Sequence, residues 1–301
     1  MNLLPSRVVM VRPHHFAINP ETAPDNAYQS AGGAADAASA MAEVEALAGA
    51  LRSRGVEVML FEDEATDRPD AVFPNNWFSA HADGTLILYP MRAENRRGER
   101  REDIVEALRQ KHVVSRVVDL SHYEAEGRFC EGTGSIVFDH AARIAFACRS
   151  PRTDGAIVEE VAALLGYRAH LFDAAAADGT PVYHTNVMMA LVPGLALVGA
   201  ELVRDPDQRE ALLAALGSRE VVALDEAQIG DFCGNAFTLA GEEGPFLALS
   251  ARAASALTEE QRARIRRHVP LVPVAVPTIE QAGGSVRCML AAVHLPLARG
   301  V

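Results

Sequence analysis

The sequence predicts an α/β propeller, a ring of five ββαβ modules that the two ends of the chain close. A short apolar strand, a tight turn and a second strand recur in four segments, at residues 72–90, 130–150, 182–200 and 232–250. Landmark residues recur at intervals of 49 to 58 positions, at Asn76, Gly134, Asn186, Asn235 and Val286. A period near fifty indicates repeated supersecondary units.

Each module contains a hairpin whose first strand is predicted to have a polar centre. The segment at residues 72–90 carries an Asp-Gly pair, a strong signal for a tight hairpin turn. Residues 181–200 contain no Asp, Glu, Lys or Arg and reach membrane-spanning length, but His184, Asn186 and a central Pro-Gly pair interrupt them. A hairpin therefore explains this segment better than a transmembrane helix.

Five amphipathic helices keep the same period, and a short β-branched strand follows each of them. Several helices begin with N-cap residue types, Thr258 and Gln261 form a capping-box pattern, and glycine closes three helices. The predicted helices cover residues 36–54, 99–112, 154–166, 205–217 and 258–268. The predicted strands after them cover residues 56–61, 113–120, 168–172, 220–224 and 270–276.

The fifth hairpin is split between the chain ends, RVVMVRP at residues 7–13 and SVRCMLAAVHLP at residues 285–296. An open solenoid would need polar end-caps, whereas both ends here are apolar strands, so we expect closure. Closure turns the polar centres of the hairpins toward one axis. The residues expected to converge there are Asn76, Glu131, His184 and Cys288.

Composition limits the functions that the chain can have. Its 301 residues are 49% hydrophobic, and we expect one catalytic domain over residues 1–301. The net charge of −12 argues against nucleic acid or an anionic membrane as a partner. The N-terminus lacks the features of a signal peptide, and the four cysteines form neither a disulfide framework nor a zinc site. We therefore expect a cytoplasmic protein, compatible with a homo-oligomer, that acts on a small molecule.

Cys288 is a candidate nucleophile, because a thiol needs only a neighbouring base or cation to become a thiolate. It follows Gly283 and Gly284, which allow a close approach of the backbone. The alternative is a buried strand cysteine that acts as a small hydrophobe. Cys130 and Cys148 fit that alternative better, since burial in a strand accounts for them.

His184 and Glu131 are candidate partners of this thiol. A lone histidine on an apolar hairpin is commonly a satisfied core residue, but a thiol and an imidazole together form the nucleophile and acid–base pair of acyl transfer. Glu131 lies in CEGTGS among residues predicted to be buried, so it needs a donor, either a substrate N–H group or an arginine. The EGTGS glycines lack a following lysine, so we do not predict nucleotide binding.

These segments resemble the pentein fold of the guanidine-modifying superfamily, which includes arginine deiminases, dimethylarginine hydrolases and amidinotransferases. The Glu-Gly pair, the His-x-Asn motif and the near-terminal Gly-Gly…Arg-Cys-Met carry the resemblance over nearly the whole chain. It implies that Cys288 is the nucleophile, His184 the acid–base and Glu131 the carboxylate that grips the substrate nitrogens, with no metal or organic cofactor. Arg152 resembles the arginine that holds the substrate α-carboxylate. A further substrate-binding arginine is expected among Arg92, Arg96 and Arg97.

Two departures from the deiminase pattern bear on the substrate. Where deiminases have aspartates in a Phe-x-x-Asp segment and two residues after the histidine, this chain has Asn76 and Asn186. Each exchange removes a negative charge and adds two donors. A buried guanidinium left with Glu131 alone would lose compensation on the order of several kcal/mol. The sequence therefore favours a neutral ureido substrate, citrulline, hydrolysed to ornithine, ammonia and carbon dioxide, as in the citrulline ureidase-like hydrolases that the chain most resembles.

Two other functions stay open. A deiminase-type hydrolase of arginine or methylarginine, or an amidinotransferase, would act on a true guanidine. A non-catalytic protein that keeps the ring and its amino-acid pocket would bind its ligand without turnover. The long irregular segment at residues 14–33 is the predicted lid over the site.

Overall fold

A computed structural model describes residues 4–29 and 36–298 of the chain. Within these residues the protein has a mixed α/β fold with five small three-stranded sheets. The strands are β1 Arg7–Pro13, β2 Glu57–Asp63, β3 Phe78–Ala80, β4 Thr85–Leu88, β5 Arg116–Asp119, β6 Val137–Asp139, β7 Ile144–Arg149, β8 Arg168–Asp173, β9 Met189–Val192, β10 Leu195–Val198, β11 Glu220–Ala223, β12 Phe237–Gly241, β13 Gly244–Ser250, β14 Leu271–Val274 and β15 Ala291–Ala292.

Helices of very different length connect these strands, and five of the longer ones match the five predicted from the sequence. The α-helices are α1 Ala37–Arg52, α2 Glu94–Arg97, α3 Glu102–Lys111, α4 Gly132–Ser135, α5 Gly155–Leu165, α6 Thr185–Met188, α7 Pro206–Ala215, α8 Glu226–Gly230, α9 Ala251–Ala256, α10 Glu259–Arg266 and α11 Pro277–Glu280. The 3₁₀ turns are Ala23–Asp25, Pro74–Asn76, Ser121–Glu126 and Ala200–Leu202.

Every sheet has the same topology. Its first two strands are antiparallel, and its third strand lies parallel to the second, because a helical crossover returns the chain to the same edge. Four of the sheets use consecutive strands, β3-β4-β5, β6-β7-β8, β9-β10-β11 and β12-β13-β14. The repeated module predicted from the fifty-residue period is therefore confirmed.

The fifth sheet joins the two ends of the chain, as the apolar terminal segments predict. Strand β1 pairs antiparallel with β15, with Val8 opposite Ala292 and Val9 opposite Ala291, and parallel with β2. The backbone N–H of Val293 extends this pairing by donating to the carbonyl of Arg7 at 2.9 Å. The near-terminal segment that carries Cys288 is thus held by the first strand of the chain.

The core lies between each sheet and the helix that covers it. Helix α5 packs its buried Ile157, Val161 and Leu165 against β7 and β8. Its ends follow from local chemistry: the Asp154 side chain accepts from the first free backbone N–H groups, and Gly166 ends the helix in the left-handed region with φ of 70°. Helix α1 covers β1 and β2 in the same way.

The polar centres of the predicted hairpins lie in helical turns just before the first strands, not on the strands. Asn76 ends a 3₁₀ turn, Glu131 is the N-cap of α4 and His184 is the N-cap of α6. Pro74 has no N–H for a sheet ladder, and Gly132 has φ of 49°, so neither residue continues a strand. A turn places several neighbouring side chains at the end of each sheet, where a strand would alternate them between two faces.

The uncharged segment at residues 181–200 forms the short helix α6 and the β9–β10 hairpin. Across residues 4–29 and 36–298, no helix is both long enough and apolar enough to cross a membrane.

Candidate active site

A small pocket brings Cys288, His184, Asn76 and Arg152 together, although the sequence separates them by up to 212 positions. Three of these side chains come from the turns before the first strands of three different sheets, and Arg152 comes from the loop after β7. The pocket has a volume of about 20 Å³, which holds about one water molecule. A substrate of amino-acid size therefore requires the segment that covers the pocket to move.

Glu131 lies behind His184 and fixes its orientation. His184 Nε2 is 2.9 Å from Glu131 Oε2, and both side chains are buried. Burial lowers the pKa of His184, although the hydrogen bond to Glu131 opposes this. A neutral ring that donates its Nε2–H to Glu131 leaves Nδ1 as the basic nitrogen. His184 is therefore arranged to accept a proton on its Nδ1 atom.

The Glu131 carboxylate is held ionised by its neighbours. Burial by itself disfavours the charge, but Arg152 at 3.6 Å, His184, and Arg96 at 3.9 Å together bring the pKa of Glu131 well below its usual range. Its second oxygen, Oε1, accepts from the backbone N–H of Arg92 at 3.1 Å. A buried carboxylate with these partners needs no further cation to remain charged.

Two asparagine amides support the Cys288 thiol. Asn235 Nδ2 donates to Sγ at 3.2 Å, and Asn186 Nδ2 lies 3.6 Å from Sγ. Asn186 is fully buried and does not line the pocket, so this predicted substrate-binding residue contacts the Cys288 thiol instead. Asn235, a landmark of the repeat in the sequence analysis, belongs to the site and was not predicted as such.

Asn76 presents an amide to the pocket. Its Oδ1 accepts from Arg96 Nη1 at 3.0 Å, whereas its buried Nδ2 has no partner among the described residues. Gly134 makes room for this amide: a methyl group at position 134 would lie 2.5 Å from Asn76 Nδ2 and 2.7 Å from His184 Nδ1. Asn76 thus offers a free donor next to the acid–base residue.

Of the three candidate arginines, the structure places Arg96 in the pocket. Its Nε and Nη2 donate to the two oxygens of Glu99 at 2.8 Å each, in a buried bidentate pair. Burial raises the pKa of Glu99 to about 7, although Arg96 opposes this rise. Glu99 was missed in the sequence because it lies within RRGERRED, which resembles a solvated charge run.

The predicted substrate-binding side chains of Arg92 and Arg97 lie elsewhere, which corrects the sequence analysis. Arg92 contacts Glu131 only through its backbone N–H, and its side chain is 40% exposed and pairs with Asp25. Arg97 points to Glu124, 3.4 Å away. On the four-residue helix α2 adjacent side chains point in different directions, so Arg96 and Arg97 cannot both face the pocket.

Arg152 is buried between the pocket and the segment that covers it. Its Nη2 donates to the Thr22 carbonyl at 3.0 Å, and its guanidinium pairs with Asp25 and lies 4.9 Å from the Tyr183 ring centroid. Arg152, which the resemblance assigns to a substrate carboxylate, is therefore already paired with a carboxylate of the protein, that of Asp25.

The predicted lid is the segment that supplies these contacts. Asn26 Nδ2 donates to the Ala282 carbonyl at 3.2 Å, and Gly283, with φ of 79°, leaves room for the Asn26 side chain. Residues 14–29 of the predicted lid are described and contact the pocket through Thr22 and Asn26. Residues 30–33 of that lid lie outside the described residues.

Asp70 is a carboxylate that lines the pocket itself, unlike Glu131, and the sequence analysis missed it. Its Oδ2 accepts from Asn19 Nδ2 at 2.8 Å and is 3.7 Å from Arg96 Nε, whereas Oδ1 has no partner among the described residues. Burial raises its pKa, and Arg96 opposes this rise. Asp70 is therefore a second buried carboxylate of the site, which the argument for a neutral substrate from Glu131 alone did not include.

The surroundings of Cys148 and Cys233 indicate a structural role for these two cysteines. Cys148 Sγ lies 3.4 Å from the Val182 carbonyl and Cys233 Sγ lies 3.3 Å from the Ala253 carbonyl, both fully buried. Burial raises the pKa of each thiol to about 12. In the described parts of the chain, no three His, Cys, Asp or Glu side chains are grouped as metal ligands.

The chain matches the family model described as N,N dimethylarginine dimethylhydrolase, eukaryotic, over residues 12–295. A search of curated proteins found no relative with a significant match.

Three solved structures resemble the protein over nearly its whole length. The N-terminal domain of ArgZ, described as an arginine dihydrolase from the ornithine-ammonia cycle in cyanobacteria, has a TM-score of 0.76 and 17% identity and covers 96% of this chain and 98% of that chain. AgrE with ornithine and NAD⁺ has a TM-score of 0.77 and 17% identity, with 98% of this chain matched to 40% of that chain. A mutant dimethylarginine dimethylaminohydrolase with an S-methyl-L-thiocitrulline adduct has a TM-score of 0.68 and 18% identity, over 96% of this chain and 100% of that chain. At these identities the likeness shows a shared fold.

Proposed function

Because the chain belongs to the N,N dimethylarginine dimethylhydrolase family, within the guanidine-modifying pentein superfamily, we propose that it hydrolyses the guanidino group of a free amino acid. The observation that carries this proposal is one buried pocket lined by the Cys288 thiol, the Asp70 carboxylate and the His184 imidazole, which Glu131 orients from behind. The proposal replaces the expectation of citrulline as the primary substrate.

The charges of the pocket suit a molecule with two cationic ends and one anionic end. Glu131 hydrogen-bonds to His184, and we assign it to the guanidino nitrogens. Asp70 has an unpartnered oxygen that suits an ammonium group, and Arg152 suits a carboxylate once the segment that carries Asp25 moves away from it. Arginine and its N-methyl derivatives carry this set of charges.

The proposed reaction proceeds through a covalent intermediate on the thiol. His184 Nδ1 takes the proton of the Cys288 thiol as Sγ forms a bond to the guanidino carbon. The C–N bond to the departing amine then breaks as His184 gives that proton to the amine. His184 Nδ1 then takes a proton from water, whose oxygen attacks the same carbon. The C–S bond breaks, the thiol is regenerated, and the guanidino group has become a ureido group.

A second candidate is the further hydrolysis of the ureido product to ornithine, ammonia and carbon dioxide. The unpartnered Nδ2 of Asn76 favours it, because an amide donor suits the carbonyl oxygen of a ureido group better than it suits a cation. ArgZ, which shares the fold, is described as an arginine dihydrolase. In this case citrulline is an intermediate, and the hydrolysis of citrulline expected from the sequence is the second step of the reaction.

The proposal extends to the arrangement of the five sheets relative to the pocket. We infer that the five sheets are arranged as the blades of a propeller around the pocket. The pairing of β1 with β15 and the equivalent topology of all five sheets support this arrangement.

The decisive experiment supplies the purified protein with L-arginine, N,N-dimethyl-L-arginine and L-citrulline in parallel. Ammonia, dimethylamine, citrulline and ornithine are measured, and Cys288→Ser serves as the blank. Release of citrulline from either guanidine, lost in the blank, supports the hydrolase. Turnover of citrulline alone, or of none of the three, would contradict it.

An Asn76→Asp variant separates the two candidates. If Asn76 holds a ureido oxygen, the variant should still form citrulline from arginine but release at least about tenfold less ornithine, since a carboxylate cannot donate to that oxygen. An unchanged ratio of ornithine to citrulline would remove the second candidate and leave the first.

A further inference from the structure

A larger cavity lies apart from the pocket of Cys288. Its volume is about 250 Å³, and the first strand of every sheet contributes to its wall, namely β3, β6, β9, β12 and β15. No residue lines both this cavity and the pocket. The proposed reaction therefore makes no use of it.

Most of the cavity wall is apolar. Val137, Phe138, Leu191, Val192 and Phe237 line it, and the exposed Ala141 lies at its edge. A wall of this kind favours a ligand with a hydrocarbon body, with polar groups fixing its orientation.

The wall of the cavity contains a buried cation, Arg287. The Arg287 side chain is 92% buried, its Nη1 donates to the Leu290 carbonyl at 2.7 Å, and its Cζ lies 4.0 Å from the Phe237 ring centroid. No carboxylate of the described residues lies within 4 Å of its nitrogens. Burial lowers the pKa of Arg287 to about 10, so the group remains charged at neutral pH. Arg219, the other arginine of the cavity, pairs with Asp139 at 2.7 Å.

Three neutral histidines complete the polar part of the wall. Burial lowers the pKa of His81 to about 3 and that of His140 to about 4, and it lowers the pKa of His294 well below its usual range. Each neutral ring has one N–H donor. His81 bonds to Ser79 Oγ at 2.6 Å and His140 to Tyr167 Oη at 2.8 Å, and the rings of His140 and His294 lie 4.4 Å apart.

We propose that this cavity binds a small monocarboxylate with an apolar body, whose carboxylate pairs with Arg287. An uncompensated buried guanidinium is costly, and a carboxylate supplies both the charge and the acceptors that it lacks. The only carboxylate among the described lining residues, Asp139, is already paired with Arg219, so it does not repel the ligand.

The site lies one peptide bond from the nucleophile. The Arg287 backbone N–H donates to Asn235 Oδ1 at 3.0 Å, and the Nδ2 of the same asparagine donates to Cys288 Sγ at 3.2 Å. The binding proposal does not depend on the proposed hydrolase reaction, because its test measures binding and needs no turnover.

Titration calorimetry of the full chain with hexanoate, and with the neutral hexanamide as control, tests the proposal. Hexanoate should bind saturably and hexanamide at least about tenfold more weakly. Arg287→Met should weaken hexanoate by a similar factor. Ala141→Trp, at the exposed edge of the cavity, should do the same, while Ala211→Trp on the exposed face of α7 should leave binding unchanged.

An Arg152→Met variant distinguishes this cavity from the active-site pocket, where a carboxylate could bind instead. Hexanoate affinity should survive that substitution. Loss of binding in Arg152→Met, equal affinity for hexanamide, unchanged binding in Ala141→Trp, or the absence of any saturable binding to the parent protein would each overturn the proposal.

Discussion

Burial favours the neutral form of His184, and the hydrogen bond to Glu131 orients its ring although it opposes the fall in pKa. Burial lowers the pKa of the ring, and Glu131 at 2.9 Å holds the Nε2–H side. The pKa of Glu131 is itself held low by arginine charges despite burial, so a proton transferred to His184 stays on the imidazole. The pair can therefore accept and return one proton without losing its geometry.

The first prediction concerns thiol reactivity. Iodoacetamide at neutral pH should modify the folded protein once, on Cys288, which lines the pocket and becomes accessible when the covering segment moves. Cys148 and Cys233 line neither the pocket nor the larger cavity, and their pKa values are raised to about 12. Mass spectrometry after short incubation checks this, with Cys288→Ser as the unreactive control. Equal labelling of Cys148 or Cys233 in the folded protein would contradict the assignment of Cys288.

Gly134→Ala should inactivate the enzyme with little loss of stability. The new methyl group would press on the ends of two side chains, Asn76 Nδ2 and His184 Nδ1, which can move only by leaving their positions. We expect kcat/KM for the substrate to fall at least about 100-fold, by analogy with small displacements of catalytic groups. The urea midpoint should stay close to that of the parent, and a large fall in stability would contradict this explanation.

At the scale of secondary-structure elements, the position of a glycine determines whether its replacement by alanine stabilises or destabilises the protein. Gly49 lies inside α1 with nothing within 4 Å of an added methyl group, so Gly49→Ala should raise the free energy of unfolding by about 0.5–1 kcal/mol.

Gly166 is the matched counterpart, because it ends α5 with φ of 70°. Gly166→Ala should lower the free energy of unfolding by about 1 kcal/mol, since a side chain is strained in the left-handed region. Urea unfolding of both variants measures the two changes. A gain in stability at position 166 would refute the role of that backbone conformation.

At the scale of the whole molecule, closure of the chain ends should contribute to stability. Val293 is 1% exposed, and its backbone N–H donates to the Arg7 carbonyl. It also forms an isolated β-bridge with Ala80 of strand β3. Val293→Ala should cost about 2 kcal/mol in the free energy of unfolding. Val113→Ala, at a side chain 44% exposed, is the control and should cost close to nothing. Equal effects of the two substitutions would contradict the importance of this junction.

The buried histidines of the larger cavity should make the protein sensitive to acid. Their pKa values are lower in the folded chain than the usual 6.5, so the unfolded chain binds more protons as the pH falls below about 6.5, and stability falls with it. Glu131, whose pKa is lower in the folded chain, adds to this loss of stability at pH values below its usual pKa. Glu99, whose pKa is raised to about 7, opposes the loss, because there the folded chain binds one proton more than the unfolded chain.

The substitution His81→Gln removes one of these titrating histidines and so measures its contribution. The slope of unfolding free energy against pH between 6 and 4.5 should fall by up to about 1.4 kcal/mol per pH unit relative to the parent protein. Urea unfolding at several pH values measures the slope, and the exposed His122→Gln is the control. A slope that His81→Gln leaves unaltered would show that His81 titrates normally in the fold.

The fold could be predicted from the sequence because its signals are local and repeated. Hairpin turns, N-cap residues such as Asp154 and helix-ending glycines such as Gly166 act through neighbouring residues, and they recur with each module. The apolar terminal segments predicted their own pairing, which β1 and β15 confirm. The convergence of Cys288, His184 and Asn76 followed from the equivalence of modules and needed no contact information.

The composition of the site was decided by the tertiary structure. Whether Arg96 or Arg97 enters the pocket depends on the direction of adjacent side chains in a four-residue helix, which no pattern of charges reveals. Asp70 and Glu99 lie among polar residues that resemble loops, and only burial beside Arg96 makes them part of the site. The sequence therefore determined the repeated architecture and the convergence of Cys288, His184 and Asn76, because these depend on local and periodic signals. The charge balance that selects a substrate depends on which distant side chains share one buried volume, and that is a property of the folded chain alone.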